Sequence, residues 1–507
     1  MLAADPPNGW KKLQFNDKLR IIALSFCMSY TVVQNTSFLT AASILQKIIS
    51  FFYFTVLARS IGVEDTGQYF FALTFTTIFI VIADFGFGNT LTREAAKFPE
   101  KGAAFVATAF WSKIIFGLGT YGLVLLATEL LGYPPSLKML IAVSGLTMFF
   151  DNLQTVFYSL LRARNNLLYE ALGMVGSQLL TLSLGGLALY KGWPIYFFII
   201  AYTIPSFCNL IYAAVVVKTT AQVRFWKGFN QAIFKEFLLL AWPIALAGLI
   251  GRLYAYSDSL LMSKMVSAEE LGWWSVPYKM TFAFQFVPIA VAASLYPVIS
   301  SLYIKEPLKI GEFISKAYRY LFTIIFPLTI GLGLLARPVI IYFYKIEFIP
   351  SIPVLQILLA SLIFTYLTII NGAVLNAVGR QKTQTILISI ALTINIILNL
   401  ILLPRLGIRG AAWAALSSNI VLWSTGFWCI RSTIPFSLKN LIKYFNQTFW
   451  PAVGMGVVVF LLNERYLNWA STIPLAVVCY AALLLVSGGV TKPMIQEFRA
   501  KLLTRRI

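Results

Sequence analysis

Residues 37–58 read SFLTAASILQKIISFFYFTVLA, and residues 68–92 read QYFFALTFTTIFIVIADFGFGNTLT. Both runs are apolar, and a short polar turn, RSIGVEDTG at 59–67, joins them. Each run holds a single ionisable residue, Lys47 in the first and Asp84 in the second. About 20 helical residues cross the hydrocarbon layer of a bilayer, and both runs reach that length. This stretch therefore predicts a transmembrane helical hairpin with one ionisable residue inside each arm.

The whole chain has the composition of this hairpin. Of its 507 residues, 59% are hydrophobic and 12% are charged, whereas about 25% are charged in an average soluble domain. Mean hydropathy is +0.79. The net charge of +21 comes from residues scattered over short loops, so we do not expect a nucleic-acid partner. The composition predicts an all-α polytopic membrane protein.

Apolar runs continue along the chain at helical length and predict fourteen transmembrane helices. The longest connection between them, 218–236, is too short to form a domain. Ahead of the first span, the short apolar patch 21–33 predicts a separate interfacial helix, and no signal peptide is expected. The predicted spans are 37–58, 68–92, 103–128, 137–161, 167–190, 194–217, 237–263, 272–302, 318–344, 351–378, 383–403, 408–430, 448–463 and 471–490.

Basic residues are unevenly divided between the two sets of loops. With these spans, 27 Lys and Arg residues fall on the side of the N-terminus and nine on the other side. Cytoplasmic loops are enriched in Lys and Arg. We therefore expect a multi-pass protein of the cytoplasmic membrane with both termini in the cytoplasm.

Residue usage also bears on the chemistry. The chain has no histidine, which removes the commonest general base and metal ligand. Its four cysteines stand singly in apolar surroundings and are expected to be packing residues. We predict neither a metal site nor enzymatic activity.

The chain contains an internal repeat. Glu64-Asp-Thr-Gly67 returns as Glu269-Glu-Leu-Gly272, each time between the first and second span of a half. The fourth spans also end alike, at 160–165 and 375–380. Six spans separate equivalent elements, so the copies have the same orientation, as in transporters with parallel repeats.

Seven of the ionisable residues inside the predicted spans are candidates for a functional role. Such residues usually face the helix bundle or a wet cavity, since a charge facing lipid costs at least about 2.5 kcal/mol. Asp258 and Lys279 are near enough to form an ion pair, and structural pairing of all seven is one alternative. The excess of cations instead favours an interior that binds a phosphate or pyrophosphate. The cations are Lys47, Lys113, Arg252 and Lys279, and the anions are Asp84, Asp151 and Asp258.

Several motifs resemble one family. They are Leu57-Ala-Arg-Ser-Ile-Gly62, Gly67-Gln-Tyr69, Ala83-Asp-Phe-Gly86, Thr92-Arg-Glu94, Trp242-Pro243, Asp258-Ser-Leu-Leu-Met262 and Leu375-Asn-Ala-Val-Gly379-Arg380. Over residues 35–490 the chain resembles the polysaccharide-transporter family of lipid-linked oligosaccharide (O-antigen) flippases. That family is a branch of the multidrug/oligosaccharidyl-lipid/polysaccharide exporter superfamily.

The resemblance implies two pseudo-symmetric six-helix lobes around a V-shaped cavity, followed by two further helices. The expected parts are a cytoplasmic N-terminal extension at 1–35, an N-lobe at 36–217, a cytoplasmic linker at 218–236, a C-lobe at 237–431, two C-terminal helices at 432–490 and a cytoplasmic basic tail at 491–507.

The implied function is that of a flippase. It moves undecaprenyl-pyrophosphate-linked oligosaccharide units across the cytoplasmic membrane by alternating access, for O-antigen, capsule or exopolysaccharide synthesis. We expect Lys47, Lys113, Arg252 and Lys279 to line a cationic substrate cavity, and Asp84, Asp151 or Asp258 to carry a coupling proton or sodium ion. No other cofactor is expected.

The expected partners are the lipid-linked oligosaccharide, membrane lipids, a polysaccharide polymerase and a chain-length regulator. Two other functions stay open. A multidrug exporter of the same superfamily would favour acidic rather than cationic cavity residues. A membrane glycan polymerase or ligase usually needs a large external loop, and the predicted external loops are all short.

Overall fold

A computed structural model describes the backbone of residues 15–223, 225–226, 228–434, 436–465 and 469–490. It describes their side chains from residue 37 onwards, apart from 308, 463–465 and 469. Regular structure in these ranges is entirely helical. The α-helices are α1 (Phe15–Ile61), α2 (Val63–Asp84), α3 (Phe87–Lys97), α4 (Gly102–Leu130), α5 (Pro135–Ala163), α6 (Leu168–Tyr190), α7 (Tyr196–Thr220), α8 (Gln231–Met265), α9 (Ala268–Phe284), α10 (Phe286–Lys305), α11 (Ile310–Leu334), α12 (Ala336–Tyr344), α13 (Ser351–Ala377), α14 (Gln381–Leu406), α15 (Ile408–Arg431), α16 (Leu438–Arg465) and α17 (Trp469–Val486).

Every predicted span coincides with helical structure. Within the described residues, twelve helical segments are long and apolar enough to cross a membrane. The other two predicted spans, 408–430 and 471–490, are not among these twelve segments. The helix α15 contains many small and polar residues and packs against α13 and α14, and α17 is a shorter apolar helix. The prediction of an all-α polytopic membrane protein is confirmed.

Three predicted spans are each divided into two helices. The run 68–92 is broken between α2 and α3, where Phe85 and Gly86 adopt left-handed backbone angles with φ of 45° and 78°. The runs 272–302 and 318–344 are divided at Gln285 and Leu335. The break after α2 leaves Asp84 at the end of a helix, inside the predicted span 68–92.

The N-terminal part of the chain differs from its prediction. The patch 21–33 does not form a separate helix, because the backbone of α1 is continuous from Phe15 to Ile61. Phe15–Ile61 contains neither proline nor glycine, the residues that most often end a helix. Residues 1–14 of the predicted extension and the predicted tail 491–507 lie outside the described residues.

The helices pack as two groups with the same internal order. In the first group α5 packs against α2, α4 and α7, and in the second α13 packs against α10, α11 and α15. The pairs α2/α3 and α9/α10 occupy the same place in the two groups, as the repeat predicts. The helices α16 and α17 pack on each other, and α16 packs on α11.

One arginine connects the C-terminal helices to the second group. Arg319 on α11 donates hydrogen bonds from its guanidinium to the carbonyl oxygens of Gly488 and Gly489, at 2.7–3.0 Å. These carbonyls follow the last turn of α17. The same guanidinium lies 4.8 Å from the centre of the Tyr444 ring on α16. Arg319 thus contacts both C-terminal helices.

We expect Arg319→Met to weaken the attachment of α16 and α17. Hydrogen bonds from a charged donor contribute about 1.5–3 kcal/mol each, and methionine keeps the apolar part of the contact. The expected result is a lower unfolding temperature in detergent and faster proteolysis between α15 and α16. Lys316→Met is the matched control, because Lys316 is an exposed cation one turn away on α11. Equal effects of the two substitutions would contradict this role of Arg319.

Candidate functional site

The two groups of helices touch most closely at two equivalent glycines of the repeat. A Cβ atom on Gly67 would lie 2.0 Å from the carbonyl oxygen of Ala268 and 2.6 Å from the amide nitrogen of Gly272. A Cβ on Gly272 would lie 2.0 Å from the carbonyl oxygen of Val63. Small residues let membrane helices approach to backbone contact. The first turns of α2 and α9 therefore hold the groups together at one end, which we call the Gly62 end after the turn between α1 and α2.

Two further contacts join the groups at the Gly62 end. Before α5, Tyr133 places its hydroxyl 2.8 Å from that of Ser263 on α8. In the second group, Tyr344 at the end of α12 places its hydroxyl 2.9 Å from that of Thr55 on α1. Each contact joins the region between the third and fourth spans of one group to the first span of the other. The Gly62 end is closed by a nearly symmetric set of contacts.

The second group contains a partly open cavity of about 670 Å³. It lies among α8, α9, α10, α13, α14 and α15. Asp258 is the one carboxylate among its described lining residues, and none of them is Lys or Arg. The cationic residues predicted to line a cavity therefore do not line this one.

Lys113 and Asp84 form a buried ion pair. The Lys113 side chain has no solvent-exposed surface, and its ammonium contacts the Asp84 carboxylate and the Thr155 hydroxyl. It also donates a hydrogen bond of 3.2 Å to the Asn152 carbonyl. Asp84 accepts a further hydrogen bond, 3.1 Å long, from the Gly86 amide at the helix break. The alternative of a structural ion pair therefore applies to Lys113 and Asp84.

The other three predicted cations have no ion pair with any described residue. The ammonium of Lys47 on α1 lies 5.5 Å from the centre of the Phe282 ring. The ammonium of Lys279 on α9 lies 5.5 Å from the Phe54 ring and 6.0 Å from the Phe70 ring. Arg252 on α8 is exposed and follows Gly251, which lines the cavity. These cations lie on helices from both groups.

Asp258 pairs with side-chain amides instead of with Lys279. Its carboxylate accepts hydrogen bonds of 3.0 Å from Asn395 and 2.6 Å from Asn399, both on α14. Asn395 in turn accepts a hydrogen bond from Ser257. The structure thus contradicts the alternative of an Asp258–Lys279 ion pair. The carboxylate is 7% exposed and lies among neutral donors only.

Asp151, the third predicted anion, is half-buried on α5. Its carboxylate accepts a hydrogen bond of 3.0 Å from Gln154, one turn further along the helix. No described cation forms an ion pair with it. Asp84, Asp151 and Asp258 therefore have different hydrogen-bonding partners.

A comparison with protein families identifies the chain. The model of the family described as "polysaccharide biosynthesis protein" matches residues 32–303, which is more than half of the sequence. The chain belongs to the polysaccharide biosynthesis protein family. The model of a second family, the lipid II flippase MurJ, matches residues 278–480. The two matches overlap in α9 and α10 and together cover both groups of helices.

Relatives of this polysaccharide biosynthesis family member are named as flippases and transporters. The probable flippase AglR of Haloferax volcanii is 27% identical over 45% of this chain and 47% of its own length. The putative O-antigen transporter of Shigella flexneri is 23% identical over 36% of this chain and 44% of its own length. The lipid II flippase MurJ of Bacillus subtilis is 25% identical over 42% of this chain and 42% of its own length. The chain spans less than half the length of each of these relatives.

Solved structures share the fold. A lipid II flippase MurJ in an inward closed conformation matches 88% of this chain and 97% of its own, with a TM-score of 0.72 and 19% identity. An inward-facing multidrug resistance transporter of the MATE family matches 76% and 95%, with a TM-score of 0.64 and 15% identity. The predicted fold class is confirmed, because this chain shares its overall fold with both proteins.

The partners of Asp258 in this family member were not predicted from the sequence. Asn395 and Asn399 lie one helical turn apart in an apolar helix, and both are fully buried. Their spacing in an apolar run is a signal that could have indicated a polar network. The cavity within the second group was not predicted either, because its lining comes from six helices and is largely uncharged.

Proposed function

We propose that this protein is a flippase that translocates undecaprenyl-pyrophosphate-linked oligosaccharide units across the cytoplasmic membrane, for the synthesis of cell-surface polysaccharide. The observation that carries the proposal is the set of three cations without ion pairs, Lys47, Arg252 and Lys279, on membrane-spanning helices of both groups. A cation within the membrane is costly unless it has a partner or water. A pyrophosphate group is an anion that would complete this arrangement.

In this proposal the two groups of helices are the lobes of an alternating-access transporter. The closed Gly62 end faces the outside in this proposal, because the uneven distribution of basic residues predicts that the opposite end lies in the cytoplasm. The polyprenyl chain stays in the bilayer while the headgroup contacts the cations. A polysaccharide polymerase and a chain-length regulator are the partners that would use the product outside.

The translocation assay uses proteoliposomes that contain a radiolabelled undecaprenyl-pyrophosphate disaccharide, which becomes accessible to an added hydrolase after flipping. We expect Lys47→Ala and Arg252→Ala each to reduce the initial rate by tenfold or more, since charge-assisted hydrogen bonds contribute about 1.5–3 kcal/mol. Lys191→Ala is the matched control, because Lys191 lies in the short loop between α6 and α7. Unchanged rates in both the Lys47→Ala and the Arg252→Ala variant would contradict the proposal, as would wild-type protein that does not flip the probe.

We further propose that Asp258 is the coupling residue among the three predicted carboxylates. Asp84 already forms an ion pair with Lys113, whereas Asp258 is buried among the neutral amides of Asn395 and Asn399. Oxygen atoms of these groups are ligands that suit a sodium ion, and the carboxylate alone can take a proton.

We expect Asp258→Asn to remove the dependence of translocation on an ion gradient. Asparagine keeps the size of the side chain but loses the charge that a cation requires. Translocation is measured in proteoliposomes under a sodium gradient and, separately, under a proton gradient, and the gradient that drives the wild type identifies the ion. Asp151→Asn is the comparison on the other lobe. A variant at residue 258 that still responds fully to the gradient would overturn this assignment.

Export of cationic drugs is a second candidate function. The observation that favours it is a single carboxylate, Asp258, in a cavity that also has aromatic lining residues. The same proteoliposomes decide between the two functions. Ethidium accumulation under the driving gradient, with no flipping of the lipid-linked probe, would support the exporter and not the flippase.

A further inference from the structure

We propose that the 670 Å³ cavity within the second group of helices is a binding site for the neutral sugar residues of the transported glycan. This inference rests on the proposed flippase function and adds the substrate class, a glycan whose sugars inside the cavity carry hydroxyl or acetamido groups and no charge. The volume lies within the range of about 300–1,000 Å³ that is typical of small-molecule sites. A short oligosaccharide fits such a space.

The lining combines aromatic rings with side-chain amides. Tyr278 and Phe282 on α9 stack with their ring centres 6.2 Å apart and their planes 10° from parallel. Both line the cavity, as do Tyr254 on α8 and Tyr296 on α10. Aromatic faces bind the apolar face of a sugar ring, while amide groups can both donate to and accept from its hydroxyl groups. This combination suits a sugar better than it suits a lipid tail.

The polar groups of the cavity are available to a ligand. The side-chain amides of Gln285, Asn376 and Gln384 line it and make no hydrogen bond to any described residue. The Thr368 hydroxyl and the Trp274 indole N–H are buried beside it and also lack a partner in the described part of the chain. Buried polar groups are normally hydrogen-bonded. The two buried groups would gain partners from the hydroxyl and acetamido groups of a sugar, and the three half-buried amides would exchange water for them.

The charges around the cavity indicate how a lipid-linked glycan would lie. None of the described lining residues is cationic, so an acidic sugar would find no counter-ion inside and would face the Asp258 carboxylate. Lys47 lies over Phe282, which is 40% exposed at the edge of the cavity. Arg252 follows the lining residue Gly251 on α8. The pyrophosphate can therefore contact the cations at the edge while the uncharged sugars enter the cavity.

The test compares two soluble probes that lack lipid and pyrophosphate. They are the neutral disaccharide chitobiose and an acidic disaccharide of glucuronate and N-acetylglucosamine, and their binding to the purified full-length protein in nanodiscs is measured by native mass spectrometry. We expect chitobiose to bind at least tenfold more tightly than the acidic disaccharide. Asn376→Leu and Gln384→Leu should each weaken chitobiose binding about tenfold. Gln381→Leu, one turn before Gln384 on α14 and exposed, should leave it unchanged.

The unfolding temperature of each variant shows that a weaker affinity is not caused by misfolding, and Gln384→Asn, which keeps an amide, should retain more binding than Gln384→Leu. Equal binding of the two disaccharides, or chitobiose binding that both leucine variants leave intact, would overturn the inference. Either result with normal flipping of the lipid-linked probe would leave the proposed function standing. Selective chitobiose binding in a protein that flips no lipid-linked probe would support the site and contradict the function.

Discussion

Replacing Gly67 by alanine is expected to abolish most transport while the protein still folds. The added Cβ would lie 2.0 Å from the Ala268 carbonyl oxygen and 2.6 Å from the Gly272 amide nitrogen, both of them backbone atoms that cannot turn aside. Overpacking of this kind costs about 1–3 kcal/mol. The cost falls only on the conformation in which the Gly62 end is closed. A balanced equilibrium between conformations with this end closed and open therefore shifts roughly ten- to hundredfold towards the open one.

Two measurements check this prediction. The translocation rate should fall by at least tenfold, and a cysteine introduced at the buried position Ser275 should become reactive towards a membrane-impermeant maleimide. Gly119→Ala is the matched control, because a Cβ at that helical glycine would have no atom of another element within 4 Å. Normal transport by Gly67→Ala, with Ser275→Cys still protected, would show that the contact between α2 and α9 is not the closure.

The second large effect concerns the buried ion pair. Removing one partner of such a pair usually destabilises a protein by about 3–5 kcal/mol, because the other charge remains buried and unpaired. Asp84→Asn should have the larger effect, since the Lys113 side chain that it leaves alone is 0% exposed. Lys113→Met should have a smaller effect, because the Asp84 side chain is 32% exposed and can be hydrated. Unfolding in detergent measures both.

The double variant Asp84→Asn/Lys113→Met separates pairing from other causes. It should be less destabilised than the sum of the single variants, because neither charge is then left without a partner. The exposed pair of Lys138 and Glu129 provides the control, and its removal should change stability by less than about 1 kcal/mol. Strictly additive effects at residues 84 and 113 would contradict the pairing.

Much of the fold follows from the sequence, because the bilayer thickness sets the length of an apolar helix. The break between α2 and α3 does not follow from it. Phe85 adopts a positive φ that a bulky residue rarely adopts alone, and the packing of Gly86 against the Ala241 carbonyl on α8 accompanies it. The prediction of a separate helix at 21–33 is wrong, because hydropathy shows where a membrane span begins but not where a helix begins.

The candidate site was less predictable. Counting charges correctly indicates more cations than anions, but it cannot assign partners, since Lys113 and Asp84 meet only when α4 packs on α2. The sequence predicts that Asp258 and Lys279 lie close together, because their helices are adjacent in the chain. The carboxylate instead turns towards α14, whose Asn395 and Asn399 come from a part of the sequence more than 130 residues away.

Affinity for undecaprenyl pyrophosphate without any sugar tests the central claim most directly. The wild-type protein and the double variant Lys47→Ala/Arg252→Ala are compared in nanodiscs, with undecaprenol, which has no phosphate, as the control ligand. Two lost charge-assisted contacts predict an affinity for the pyrophosphate lipid at least a hundredfold weaker and no change for undecaprenol. Equal affinities of the two proteins for the pyrophosphate lipid would show that these cations do not hold the headgroup.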